Sequence, residues 1–480
     1  MDSKLVSFLK KRKINVLTDE DTRKDILVWQ SWYKGKVDKF HTYKVYTGTN
    51  SITKERATLN MAPRACQRWA DLLLNEKVEI NVNVSDEDKS GINEFVSETL
   101  RKANFRKRAN NLLELAFGIG GGFFIEYWDG KKPNIKYISQ EYMLPITFDS
   151  GKLIECAFAS KKQIKNKPHY YIELHMLDKK NEYVIKNIIV EIKDDDLKEV
   201  DAAMYGELEV EREIKTLSQE PLFQSIMPNV SNRRDFNSAY GVSVFNGAVD
   251  ILKTLDIIYD SYRNEFLLGK KRIFVGDSIT NVHHDEKGNV VKVFDPHDEI
   301  FYKLPDDEGG ERIPITESNM EYRVEPIDKA IQTNLNLFSQ SVGFGSDGFS
   351  WENGAVKTAT EVVSENSEMF RTLKKHEIIV RDAIIGAVRG LIVINNRFST
   401  KKYDANVDIS VLFDDSIIED KESQQRQATL ELNLGLISAI QYYQDVYGMT
   451  QKQADEYFKK MQKEIAATTP NDGEEPPEGA

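Results

Sequence analysis

The sequence predicts an α+β fold: antiparallel sheet and helices in a large N-terminal region, a small β-rich insert between two helices, and an over-long helix leading to a helical C-terminal region. Three observations predict it. Strand patterns at Phe123–Trp128, Ile135–Ser139, Tyr170–Leu177 and Glu182–Ile192 follow one another across hairpin turns at Asp129-Gly130 and Asp178-Lys179-Lys180-Asn181. Strands that succeed one another without intervening helices make an antiparallel sheet. Phe245, Val249, Leu252, Leu255, Tyr259, Tyr262 and Phe266 recur at three-or-four spacing, which reads as one amphipathic helix from about Tyr240 to Leu268. From Thr358 to Asn396 no proline interrupts a helical pattern. One helix of roughly 39 residues, at about 1.5 Å each, would extend nearly 60 Å.

In chain order, residues 1–75 read as helices rich in aromatic side chains, including Trp29, Trp32, Tyr33 and Trp69. Val78–Val84 alternates apolar and polar residues, a half-buried strand. Ser85–Ala116 returns to helix and carries the bases Arg101-Lys102 and Arg106-Lys107-Arg108, a solvated face. The long helix from Tyr240 stops at Gly269, and Lys270, Lys271 and Arg272 follow it directly. Short strands are expected at Ile273–Val275, Val290–Phe294, Ile300–Leu304 and Glu321–Val324, with a second helix from Asp328. Val407–Phe413 reads as a strand, and helices are expected over 416–443 and 450–465. The Pro-, Gly- and Glu-rich end, 467–480, lacks the apolar surface to pack and is expected to be disordered.

Composition narrows the function. With 480 residues the chain is long enough for several domains and a sizeable core. A net charge of -12 argues against nucleic-acid binding through the overall field, because phosphate contacts draw affinity from Lys and Arg in excess. Cys66 and Cys156 offer neither a zinc spacing nor a disulfide framework. The N-terminus lacks an apolar signal core and no apolar run reaches the roughly 18 residues of a membrane span, which predicts a soluble chain with no membrane partner.

Catalytic motifs are sparse. Gly118-Ile119-Gly120-Gly121-Gly122-Phe123 has Phe where a dinucleotide fingerprint needs its last glycine, and helix precedes strand there, so a tight turn is expected. His283-His284 places adjacent side chains on opposite faces of a strand, and His376-Glu377 lacks the second histidine of a zinc-protease helix. The sequence therefore predicts no catalytic residues, no metal and no cofactor. The feature that stands out is Gly343–Val356, a glycine-rich loop with Phe344, Phe349 and Trp351, followed by Thr358-Ala359-Thr360-Glu361, a capping box. Beyond it Glu361, Glu365 and Glu368 fall on one helix face, suited to a wet passage or to cations on a neighbour.

The chain resembles the portal proteins of tailed bacteriophages, in the branch found in siphophages of Gram-positive hosts. The resemblance rests on Tyr240–Phe245 with Leu255–Asp260, on Gly269–Val275, on Lys357–Val362, and on the order of elements across nearly the whole chain. It implies a homo-oligomeric ring of about 12 subunits at one capsid vertex, through which double-stranded DNA is packaged and ejected. Residues 1–239 would form a wing, 240–269 a stem helix, 270–327 the clip, 328–342 a second stem helix and 343–357 a tunnel loop. Residues 358–414 would supply the long helix and the rest of the wing, and 415–466 a crown. Implied partners are the major capsid and scaffolding proteins, the terminase large subunit, and a head-completion or adaptor protein. The implied location is the virion's portal vertex, reached from the host cytoplasm during assembly. Carried over, Phe344, Ser346, Asp347, Phe349, Trp351, Asn353, Lys357, Glu361, Glu365 and Glu368 are tunnel candidates, and Lys270, Lys271 and Arg272 are clip or stem contacts. A virion adaptor without a tunnel is the alternative; a DNA-processing enzyme would need a compact acidic set beside a basic groove, which the sequence lacks.

Overall fold

The computed structural model describes residues 3–47, 50–83, 91–164, 166–193, 196–200, 213–276, 283–284, 287–288, 290–291, 301–304, 316–318, 321–351, 359–413, 421–447, 449, 451, 454–455 and 457–461. The chain divides into two compact units, one of Met1–Ala355 with Arg371–Phe413 and one of Val356–Phe370 with Asp414–Ala480.

The first unit opens with helices α1 (Ser3–Lys11), α2 (Glu20–Tyr33) and α3 (Asp38–His41). Asp19 starts α2 by accepting the Thr22 N–H at 2.9 Å, which satisfies a donor that the first helical turn leaves open. A hairpin of β1 (Thr42–Thr47) and β2 (Asn50–Glu55) comes next, where the sequence reading expected only helices. Its short polar strands carry too little apolar alternation to announce themselves. Then follow α4 (Met61–Leu73), β3 (Glu79–Asn83), α5 (Ile92–Lys102) and α6 (Phe105–Ile119). The expected single helix to Ala116 is thus two, because Asn104 adopts the left-handed conformation at φ 52° and breaks the run.

The helix-to-strand turn after α6 is as expected. Gly120 has φ +99° and a Cβ there would lie 2.5 Å from the Gly241 carbonyl oxygen, so the turn admits only glycine. Strands β4 (Gly122–Trp128), β5 (Pro133–Ser139), β6 (Met143–Asp149), β7 (Lys152–Ile164), β8 (Lys167–Leu177), β9 (Tyr183–Lys193), β10 (Asp196–Val200), β11 (Glu213–Lys215) and β12 (Phe223–Ile226) build two antiparallel sheets. The larger runs β10-β9-β8-β7-β6 with β11 also on β9, and the smaller runs β12-β4-β5.

The sheets face each other through Phe158, whose ring lies 5.1 Å from Phe123 and 6.0 Å from Phe223. Leu5 and Leu9 of α1 cover the far side of the large sheet over Ile172, Leu174 and Val190. Strand alternation turns Phe124 and Glu126 to the far side of the small sheet, where Phe124 meets Phe105 of α6 at 5.3 Å.

Helix α7 (Val249–Leu268) begins nine residues later than the sequence reading had it. Tyr240–Phe245 is an irregular segment fixed by Val244 N donating to Phe117 O at 3.0 Å. Its apolar side chains fill the core without helical backbone. The insert contains β13 (Arg272–Gly276), β14 (His283–His284), β15 (Val290–Val291), β16 (Phe301–Leu304) and β17 (Thr316–Ser318). Strand β13 pairs parallel with β16 and antiparallel with β17, while His283-His284 pairs with Val290-Val291. Glu321–Val324, expected as a strand, instead leads into α8 (Val324–Ser341).

Helix α9 (Ala359–Phe398) is the expected long helix, within two residues at each end. Strand β18 (Asp408–Leu412) returns to pair with β3, the strand that the alternation over Val78–Val84 predicts. In the second unit α10 (Lys421–Asn433) and α11 (Ala439–Tyr447) replace the one helix expected over 416–443, separated by a turn with Gly435 at φ +72°. Residues 467–480, Thr358 and Thr450, the first residue of the helix expected over 450–465, lie outside the described residues.

Candidate functional site

The glycine-rich loop is folded onto its own unit. Helix α8 ends in Val342 and left-handed Gly343, φ +87°, where a Cβ would lie 2.7 Å from the Thr372 methyl carbon. That reversal sends Phe344 inward, and its ring stacks on Trp69 of α4 with centroids 4.3 Å apart and an interplanar angle of 18°. The Trp69 indole N–H donates to Val342 O at 3.0 Å, so one side chain holds both the backbone and the ring of the turn. Phe349 meets Phe344 edge-on at 5.4 Å and Phe338 at 5.7 Å.

Arg68 clamps the turn from the neighbouring position on α4. Its guanidinium lies 4.8 Å from the Phe344 centroid and 5.5 Å from that of Phe349, and it donates to Gly348 O. Gly348 N in turn donates to the Ser339 hydroxyl at 3.0 Å. Trp351 is tied to α8 twice, by its N–H to Gln332 Oε1 at 2.7 Å and its indole N–H to Asp328 Oδ1 at 3.0 Å, with its ring against Tyr259 and Tyr262 of α7.

These contacts set the three rings of the loop against the first unit. Phe344 is only 3% exposed, so its ring belongs to the core and presents no surface to a ligand. Phe349 and Trp351 are half-buried against α8 and α7, whereas Asp347 is exposed and Ser346 half-exposed. Asn353 and Lys357 lie outside the described residues. Glu361 and Glu365 lie within α9 as expected, and Glu368, one turn on, is exposed. Lys271 forms an ion pair with Glu317 of the insert, and Arg272 donates to Leu268 O at 3.3 Å, so two of the three bases after Gly269 brace the junction of helix and strand.

Arg68 and Trp69 are the site residues that sequence reasoning passed over. Their one visible signal was an Arg-Trp pair on an amphipathic helix, and nothing local ties it to a loop some 280 positions away. Beneath Trp69 sits His376 of α9, edge-on to Trp69 at 5.1 Å and to Phe117 at 4.9 Å. Its Nδ1 accepts from Asn229 N at 3.1 Å, and burial, with Lys375 nearby, holds its pKa down at about 3.

Among the described residues no group of three or more His, Cys, Asp or Glu side chains is placed to hold a metal ion, and no helix is long and apolar enough to cross a membrane. Fold and loop together describe an α+β protein whose long helices are braced by an aromatic turn. The chain belongs to the phage portal protein family, SPP1 Gp6-like, whose family pattern matches residues 15–471. No curated protein matches the sequence. Two solved structures are similar at 10% identity: a chain from the neck of an empty GTA particle computed with C6 symmetry and one from the neck of a native GTA particle computed with C12 symmetry. The first has a TM-score of 0.43 over 79% of this chain and 88% of that one; the second has 0.40 over 79% and 87%.

Proposed function

We propose that this phage portal protein assembles as a ring of about 12 copies at one capsid vertex, and that double-stranded DNA enters and leaves through the ring. The observation that carries the proposal is family membership over residues 15–471. On this reading α7 and α8 are stem helices, the insert between them is the clip that receives the terminase and later the head-completion protein, and residues 343–357 are the tunnel loop. The remainder of the first unit is the wing facing capsid and scaffold, and α10 and α11 belong to the crown. Assembly takes place in the host cytoplasm and ends in the virion.

The anchored turn refines which residues meet DNA. With Phe344 buried, Asp347 and Ser346 are offered as the described loop residues on the channel side. DNA carries about one charge per 1.7 Å of axis, so a bore short of cations lets it slide where a basic one would hold it.

Electron microscopy of the purified full chain tests the assembly. Closed rings with a central channel are expected, and a chain that stays monomeric at every concentration would sink the reading. Rings that cleave DNA in the presence of a divalent metal would point to an enzyme instead.

A further inference from the structure

We propose that the hollow between α2 and the large sheet is a docking pocket for an acidic peptide segment of another protein, which buries one large apolar side chain there and sets a neighbouring carboxylate on Lys161. The pocket lies within one copy, so its occupation does not depend on ring formation.

The cavity measures about 240 Å³ and is walled on one side by Arg23, Ile26 and Leu27, which at i, i+3 and i+4 share one face of α2. Its floor is apolar and buried: Ile26, Met143, Ala159 and Tyr170 are each at most 4% exposed. The small Ala159 side chain, on the sheet face that α1 also covers, leaves the hollow open. Sites for drug-sized ligands run to roughly 300–1,000 Å³, so this one suits a single large side chain rather than a cofactor.

Its polar groups are held in place. Gln140 donates through Nε2 to Gly241 O and accepts the Gly241 N–H through Oε1, both at 3.2 Å. Glu141 accepts from Gln30 Nε2 at 2.8 Å and from the Ser139 hydroxyl at 3.2 Å. Arg23 is oriented by the Tyr240 hydroxyl, to which its Nε and Nη2 donate at 3.3 and 3.2 Å. Lys161 enters from β7 with its ammonium 5.5 Å from the Tyr170 centroid, and it makes no ion pair among the described residues. Two cations thus share the pocket with one carboxylate that already holds two donors, in a chain of net charge -12. An anionic partner matches that balance.

The rim points to a chain rather than a free small molecule. Leu27 is 59% exposed and Tyr142 40%, so apolar surface continues from the cavity onto the outside of the protein. Exposed apolar surface beside a hollow is covered by whatever extends out of it. A peptide with one large apolar anchor and acids next to it fits the floor, the rim and Lys161 together.

The test is fluorescence anisotropy on the full chain at low salt, with labelled eight-residue peptides that carry phenylalanine, leucine or methionine between two aspartates. At least one of the three should bind, and replacing its apolar residue by serine or its aspartates by asparagine should abolish binding. Leu27→Asp and Lys161→Glu, both at exposed positions and checked for folding by thermal melts, should each weaken binding by about tenfold. A peptide with lysines in place of the aspartates should regain affinity for the Lys161→Glu chain. Failure of all three peptides, or binding that ignores both substitutions, overturns the proposal. So does a serine peptide that binds as well, because charge alone would then account for it. If the peptides fail and the same substitutions stop copies from associating in mass photometry, the occupant is a second copy and the proposal falls. Rings that form while no peptide binds leave the ring reading standing.

Discussion

His41 Nε2 lies 2.9 Å from Asp256 Oδ2, and its Nδ1 accepts the Val37 N–H at 2.8 Å. A ring nitrogen that accepts from a backbone amide carries no proton, so the imidazole proton sits on Nε2 and is donated to the carboxylate. Asp256→Asn places an amide against that donor on one side or against the Leu59 N–H on the other, so one polar contact is lost however the amide turns. Both residues are buried. At ~1–3 kcal/mol per orphaned buried group, Asp256→Asn should cost about 1–3 kcal/mol and Asp256→Ala, which orphans both donors, about 2–6 kcal/mol, read by urea denaturation. A near-neutral Asn variant would refute the tautomer argument.

Acid should loosen the helix beneath the aromatic turn. His376 is held neutral, with its pKa at about 3 against 6.5 for the free side chain. The unfolded chain thus takes up a proton that the folded chain refuses as pH falls from 6.5 towards 3, and stability falls with it. His376→Asn keeps an acceptor for the Asn229 N–H. Between pH 7 and 5 the wild type should lose about 1–2 kcal/mol more than this variant, compared by denaturation at the two values.

Glu126 works in the opposite sense. It is fully buried, neither carboxyl oxygen makes a well-formed hydrogen bond among the described residues, and burial raises its pKa well above 4.5 against a smaller opposing pull from the nearby Gln224 side chain. The folded chain keeps this proton while the unfolded chain releases it, so the stability it contributes is complete below about 4.5 and is lost as pH rises through the folded value. Glu126→Gln cannot ionise. Its melting temperature relative to wild type should climb from pH 5 to pH 8, and a constant difference would show that the carboxyl finds a partner.

Gly390 lies against that carboxyl, where an added Cβ would stand 2.6 Å from Glu126 Oε2. Alanine gains roughly 1 kcal/mol over glycine inside a helix, yet overpacking a close contact costs about 1–3 kcal/mol, and the clash should win. Gly390→Ala is expected to destabilise alone and to be relieved when paired with Glu126→Ala, a coupling that a double-mutant cycle measures.

Long-range anchoring separates what the sequence made legible from what it hid. Helix α9 was readable to within two residues because one uninterrupted period governs it. The loop after α8 was readable as a place, but its anchors were not. Trp69 and Arg68, which hold it, lie far back in the chain and leave no local mark. The segment from Tyr240 failed for a related reason. Apolar residues at helical spacing fill the core equally well from an irregular backbone pinned to Phe117, and periodicity cannot tell the two apart.

The insert between α7 and α8 leaves and returns at one doorway. Phe266 stacks on Tyr322 at 5.3 Å, and the Arg323 guanidinium grips Glu265 across the gap. The two ends of the insert are thus closed against each other by Phe266 and Glu265 of α7 and by Tyr322 and Arg323 just before α8. With entry and exit adjacent, a change of length inside the insert need not move the ends of α7 and α8 apart.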